Sequence, residues 1–288
     1  MAGFQAGITQ GTSDVITKST IKESIMRTRN TLCLALLAST LGTNALHAGE
    51  RRFTYVYEAT TLQKGEWEFE QWVTWKTAKE TNRDFDRFDI RHEIEFGVTD
   101  HFQLGLYLSD WRYEETQSKG KRGGNWRNVA VEAIWNLSDP TTDPVGLALY
   151  GEVKVGDKLL ELEGKLIVQK NYGKLTLAYN AIIEAEWEGS HYDEDNGKLE
   201  QTAGLSYQFS PRFLAGFELL HEINMPDWRG ASGKGVFYLG PNFSYRTPKW
   251  WATLTPLFQI SDVEDEPDFQ MRLIVGFHLG EHGKPDSK

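Results

Sequence analysis

Cysteine is almost absent: the single one, Cys33, falls inside a candidate export signal, so the chain beyond that signal carries none. That excludes an intramolecular disulfide or a cysteine-ligated metal site in a mature protein. A lipid anchor on Cys33 is disfavoured too, because Arg29-Asn30-Thr31-Leu32 precedes it in place of an apolar stretch ending in small residues. Long hydrophobic runs are also missing. The export-type run Thr31 to Leu41 has eleven residues, too short for a bilayer-spanning helix of about twenty. Basic residues are scarce: 31 Lys and Arg against 41 Asp and Glu give a net charge of -10. Lys18, Lys22, Arg27 and Arg29 outweigh Asp14 and Glu23 before residue 49, so the remainder is near -12. Such a chain is unsuited to nucleic acid, whose binding rests on neutralising phosphates. Proline (9) and methionine (4) are few.

What is abundant is aromatic: 10 Trp, 11 Tyr and 15 Phe, with a mean hydropathy of only -0.49. A soluble domain hides its aromatics within apolar runs, whereas a membrane barrel alternates them with polar residues and keeps the average low. From Met26 the chain reads as a secretory signal with a basic start, a short apolar core and small residues before a polar stretch. The expected organisation is an upstream extension at 1–25 ahead of a true start at Met26, a signal peptide at 26–48 cleaved after Ala48, and a periplasmic segment at 49–65. A barrel at 66–279 and a polar tail at 280–288 follow.

Beyond residue 50 the dominant period is two, the mark of strands whose faces meet different surroundings. Trp67, Phe69, Val73 and Trp75 fall on one face and Glu66, Glu68, Glu70, Thr74 and Lys76 on the other. The split recurs in about twelve segments of membrane-strand length, which predicts an all-β, closed antiparallel transmembrane β-barrel of about 12 strands. Tight connections such as Thr99 to His101 and Thr247 to Lys249 alternate with polar ones at Thr77–Asp84, Arg112–Asn125, Glu188–Gly197, Asn224–Gly233 and Ser261–Asp268. Short periplasmic turns and long external loops are the habit of outer-membrane barrels, and they place both termini in the periplasm. Aromatics collect near both sets of connections, as two interfacial belts require. Pro241 and Pro256, in the middle of the tenth and eleventh strands, predict a local bulge.

The segment RFDIRHEIEFGVTDHFQLGLYL, Arg87 to Leu108, hinges two strands on Gly-Val-Thr-Asp. With the alternation of the whole chain, it resembles uncharacterised outer-membrane barrel proteins often labelled as transporters. The last strand, FQMRLIVGFHL from Phe269 to Leu279, resembles the terminal strand that the barrel assembly machinery reads, although Gly280–Lys288 follows where an aromatic end is common. The resemblance implies a bacterial outer-membrane location and brings no catalytic residues.

If the apolar face meets lipid, the polar face lines a lumen. Glu68, Glu70, Arg91, Glu93, Glu95, Glu132, Glu152, Lys154, Glu161, Glu163, Lys165, Glu184, Glu186, Glu218 and Arg272 are the expected lining. Acid outnumbers base there, and an unpaired carboxylate in a dry interior is costly, so the surplus argues for water. Small residues on this face, among them Gly105, Ala130, Ala178, Gly204, Gly216 and Gly276, predict space near the turn end. The leading expectation is a narrow acidic channel or transporter for small solutes or cations. The alternative is a salt-bridged, non-conducting barrel. A third class, an outer-membrane enzyme, lacks support: phospholipases of that kind need His and Ser two apart, and His92 and His221 are followed by Ile94 and Ile223. The acidic stretches Asp193–Asp195 and Asp262–Asp268 read as hydrated loops, so no metal, catalytic residue or cofactor is expected. The expected partners are outer-membrane lipid and lipopolysaccharide, the assembly machinery and small solutes or cations. His92 and His221 on the lipid-facing phase stay unexplained by the pattern.

Overall fold

Alternation along each segment becomes a wall with two chemistries. In the computed structural model, which describes residues 50–116, 121–192, 194–226 and 235–279, the strands are β1 (Trp67–Lys79), β2 (Asn82–Thr99), β3 (Phe102–Thr116), β4 (Lys121–Ser138), β5 (Gly146–Gly156) and β6 (Leu159–Tyr172). They continue as β7 (Leu175–Glu188), β8 (Glu194–Gln208), β9 (Phe213–Pro226), β10 (Val236–Arg246), β11 (Trp250–Gln259) and β12 (Pro267–His278). Each pairs with its sequence neighbours, and β1 pairs antiparallel with β12, with Glu68 opposite His278 and Lys79 opposite Pro267. The barrel is therefore closed and has no edge strand to satisfy, which is what a bilayer demands of a sheet. The expected signal segment and the polar tail lie outside the described residues, as do Asp193 and Trp228.

The outward phase is apolar: Leu106, Val131, Leu149, Leu166, Ile183, Leu205, Phe217 and Phe258 are all well exposed. Aromatic pairs knit its two rims. Trp67 lies 4.3 Å from Phe96, and Tyr245 lies 5.7 Å from Trp250 at the turn end; Trp75 stacks on Phe88 at 6.1 Å, and Phe258 meets Phe269 at 5.1 Å at the other end. An apolar band between aromatic belts is the surface of a membrane barrel. The two outward histidines also find their reasons here. His221 stacks on Phe237 with ring centres 3.8 Å apart. A register shift next to His92 puts Ser109 opposite it, and the two side chains meet at 2.9 Å, each satisfying the other in the apolar band.

Two expectations are corrected. The connections foreseen as long loops are mostly strand: β3 and β4 pair out to Thr116 and Lys121, β7 and β8 to Glu188 and Glu194, and β1 and β2 to Lys79 and Asn82. Polar residues continue the ladder beyond the bilayer, because backbone pairing needs no apolar face once water surrounds the hairpin. The proline site is an interruption and not a bulge. Leu239 faces Phe258 and Phe243 faces Leu254 in one unbroken register, so Pro241 stands directly opposite Pro256. Neither has an N–H to give, and the ladder between them is open.

At that gap, a Cβ on Gly240 would lie 1.7 Å from the Pro256 carbonyl oxygen, which is backbone and cannot move aside. Gly240→Ala is expected to destabilise the barrel by about 1–3 kcal/mol. Urea unfolding in lipid vesicles, followed by tryptophan fluorescence, checks this; an unchanged midpoint would contradict the close approach.

Candidate functional site

Of the segment 49–65, expected to sit in the periplasm as a short leader to the first strand, residues 50–62 run inside the barrel. Phe53, Val56, Ala59 and Leu62 are at most 2% exposed. This strap is irregular, so its backbone has no ladder partner, and a buried N–H or C=O without a partner is costly. The wall supplies the partners from side chains. Glu218 on β9 accepts the N–H groups of Thr54 (2.8 Å), Tyr55 (2.6 Å) and Val56 (3.1 Å). Asn180 on β7 accepts the Tyr57 N–H at 2.7 Å and donates to the Tyr57 carbonyl at 3.0 Å. Gln169 and Gln103 take the N–H groups of Ala59 and Leu62, and Asn136 and Asn242 donate to the carbonyls of Ala59 and Arg52. Thr253 and Arg272 cover the carbonyls of Arg51 and Thr54.

Apolar contacts complete the seat. Tyr57 and Ala59 join Trp72, Ile134, Ala148, Tyr150, Ile167, Trp251 and Ile274 in one buried cluster. Tyr55 packs with Leu220, Val236, Tyr238 and Leu257, and Phe53 and Val56 with Ala178. The space expected at small lumen residues is therefore filled. A Cβ on Gly204 would meet the Phe53 ring at 2.6 Å, and one on Gly276 the Trp251 indole at 2.3 Å. Where the strap leaves the lumen, Gly97 lets the Gln63 carbonyl approach to 2.0 Å of its missing Cβ, and Gly65 turns with φ +86°.

The strap divides the interior. On the turn side, the expected lining residues Glu68, Glu70, Glu93, Glu95 and Glu132 are buried. Glu70 and Glu95 hold Arg51, both at 2.9 Å, and Trp251 and Trp72 donate to Glu68 and Glu70. Burial opposes the charge of Arg51, but these carboxylates outweigh it and hold the guanidinium above its ordinary range. Burial pushes the Tyr57 phenol up to about 12, so it stays a proton donor.

On the loop side lies a cavity of about 350 Å³ floored by Tyr55, Tyr57 and Trp72. Arg91, Glu152, Lys154, Glu161, Glu163, Lys165, Glu184, Glu186 and Arg272 all line it. So do basic residues absent from the expected lining: Lys76, Arg87, Arg112 and Arg127. Nine cationic and ten anionic side chains surround this space, so the acid surplus is concentrated on the turn side of the strap. The signs are also sorted. From β12 round to β4 the wall carries Arg272, Lys76, Arg87, Arg91, Arg112 and Arg127 against Asp89 and Asp110. From β5 to β9 it carries eight glutamates against Lys154, Lys165 and Lys198. Pairing is partial. Lys154 meets Glu152 and Glu161 at 2.6 and 2.5 Å, and Arg112 meets Asp89 at 2.7 Å. Arg272 instead spans Thr74 and the Thr54 carbonyl and stacks over Tyr55 at 4.0 Å.

The closed wall, lipid-facing band and charged lumen define a β-barrel of the outer-membrane architecture. The solved structures agree on the fold. One similar barrel is the COG4313 outer membrane channel from Pseudomonas putida F1, at 13% identity and TM-score 0.55, covering 79% of this chain and all of that one. Another is the NanC porin, at 10% identity and TM-score 0.51, covering 73% of this chain and all of that one. The chain belongs to the family of unknown function DUF6662, whose match spans residues 45–287. No curated protein sequence matches it.

Three strap N–H groups on one carboxylate make Glu218 the strap's main anchor. Glu218→Gln is expected to weaken docking by roughly 1–3 kcal/mol while the lipid-facing wall stays folded. Limited trypsinolysis checks this: cleavage after Arg51 or Arg52 should accelerate about tenfold or more, and equal rates in both proteins would contradict the anchoring.

Proposed function

We propose that this protein is a strap-gated channel whose loop-side cavity admits small solutes carrying both positive and negative charge. One observation carries the reading: a basic wall faces an acidic wall across a space of about 350 Å³ whose floor is the strap. A field directed across the lumen orients a solute with separated charges and gives little advantage to a simple cation over a simple anion. The cavity is of a size that suits small molecules. The incompletely neutralised basic wall, with Arg272 bonded to neutral oxygens, offers a carboxylate its landing point, and Glu184, Glu186 and Glu200 offer an ammonium its own.

A second reading, a non-conducting barrel, is favoured by the density of strap-to-wall hydrogen bonds. The same strap serves either reading: it is a gate if it can leave and a plug if it cannot. We read the protein as a non-enzyme, with His92 and Ser109 as a self-satisfied pair set between the aromatic belts, away from the lumen.

Planar-bilayer recording separates the readings. The refolded mature chain is expected to be mostly closed in potassium chloride, and Glu218→Gln combined with Asn180→Ala should show frequent discrete openings. In that background, Arg272→Gln should shift the reversal potential toward cation selectivity. Silence from a folded, strap-loosened barrel would rule out the channel and leave the plugged one.

A further inference from the structure

The turn-side carboxylates pose a charge problem that the strap does not solve. Glu93 on β2 is fully buried, and neither of its carboxylate oxygens has a hydrogen-bond partner. One oxygen each from Glu93, Glu95 and Glu132 lie within 4.8 Å of one another. Glu132 is half used: its Oε2 accepts the hydroxyls of Tyr107 at 2.7 Å and Tyr150 at 2.9 Å, while Oε1 has no partner. Glu95 gives Oε1 to Arg51, whose guanidinium is already shared with Glu70. Three buried carboxylates thus converge with half of one positive charge between them, and ionised groups left in that state are strongly unfavourable.

Elsewhere in the lumen the same problem is met by an amine. The loop-side group of Glu152, Glu161 and Glu163 surrounds Lys154 Nζ, which reaches Glu152 at 2.6 Å and Glu161 at 2.5 Å. Among the described residues no lysine ion-pairs with the Glu93 group. What stands beside it is a missing side chain. A Cβ on Gly105 would lie 2.7 Å from Glu93 Oε1 and 2.5 Å from Glu132 Cγ, so the glycine is what lets the two carboxylates converge.

We propose that Glu93, Glu95 and Glu132 bind a calcium-sized divalent cation in the turn-side wall of the barrel. Calcium takes oxygens at about 2.3–2.6 Å in flexible geometry, which permits ligand oxygens up to about 5 Å apart, and it accepts a carboxylate through both oxygens, as the two free oxygens of Glu93 allow. Magnesium sits closer to its ligands and keeps waters, which a buried pocket of this kind does not accommodate. The bound ion neutralises the wall against which Arg51 and the strap are seated. The competing arrangement is a set of shared protons on the same carboxyls.

The test uses the mature chain folded in detergent and stripped with EDTA, titrated calorimetrically with calcium chloride, with thermal unfolding measured with and without calcium. One calcium per barrel and a raised unfolding midpoint are expected. Glu93→Gln should weaken binding at least about tenfold, since affinity follows the number of charged ligands, and Asp262→Asn in the acidic outer connection should leave it unchanged. If Glu93→Gln fails to fold, Gly105→Ala, which crowds the same oxygens, should weaken binding in its place. Absence of binding to the folded native chain at millimolar calcium would overturn the proposal in favour of shared protons. Binding that survives Glu93→Gln, or that Asp262→Asn removes, would overturn it in favour of an ion on the outer connections.

Discussion

An irregular stretch of backbone inside a closed barrel needs a hydrogen-bond partner for every buried amide, and the rest of this structure depends on how that need is met. A strand pairs with a strand, but the lumen of a closed sheet has no free edge to offer. The wall answers with side chains: one carboxylate for three consecutive N–H groups, and amides that accept and donate in turn. Asparagine and glutamine suit this task because each carries an acceptor and two donors on one planar group. The strap's aromatic and aliphatic side chains then fill what would otherwise be a wet lumen, and the interior acquires an apolar core of its own.

That core sorts the charges. Where the strap sits, the carboxylates are buried, and Arg51, indole N–H groups and tyrosine hydroxyls match Glu68, Glu70, Glu95 and one oxygen of Glu132 but leave Glu93 without a partner. Where it does not, a polar cavity remains in which Lys154 pairs closely with Glu152 and Glu161, Arg87 and Arg112 share Asp89, and Lys198 reaches Glu184, Glu200 and Glu222 only at 3.3–3.5 Å. The stability of the barrel belongs to its wall and its strap, and the proposed channel would draw its selectivity from the cavity above.

Period two made the wall legible, residue by residue: Trp67, Phe69, Val73 and Trp75 against Glu68, Glu70 and Thr74 could only be a strand between two media. Strand number and closure followed from repetition of that pattern. The strap was not legible, because its one visible property, a mixed stretch from Arg51 to Gly65, has no period to reveal where it lies. The signal that could have found it is on the wall. Gln103, Asn136, Gln169, Asn180, Asn242 and Thr253 put uncharged hydrogen-bonding groups on the inward phase, where water alone would have been content with charge. Trp72 and Trp251, inward on strands whose other aromatics face lipid, are a second such signal, since an indole in an aqueous lumen has nothing to pack against. The outer hairpins were not legible as strands because their residues are polar on both faces, and a ladder in water keeps its hydrogen bonds whatever its side chains.

Cross-linking in native membranes tests most directly whether the strap occupies the lumen of the assembled barrel. No cysteine lies beyond Cys33, so in a Cys33→Ser background Phe53→Cys and Gly204→Cys place the only two thiols where the Phe53 ring now meets β8. Rapid, near-complete cross-linking by oxidation or a short bifunctional maleimide, in barrels that stay folded, is the predicted result. Folded barrels whose two thiols remain separately reactive would contradict it and return the segment to the periplasm.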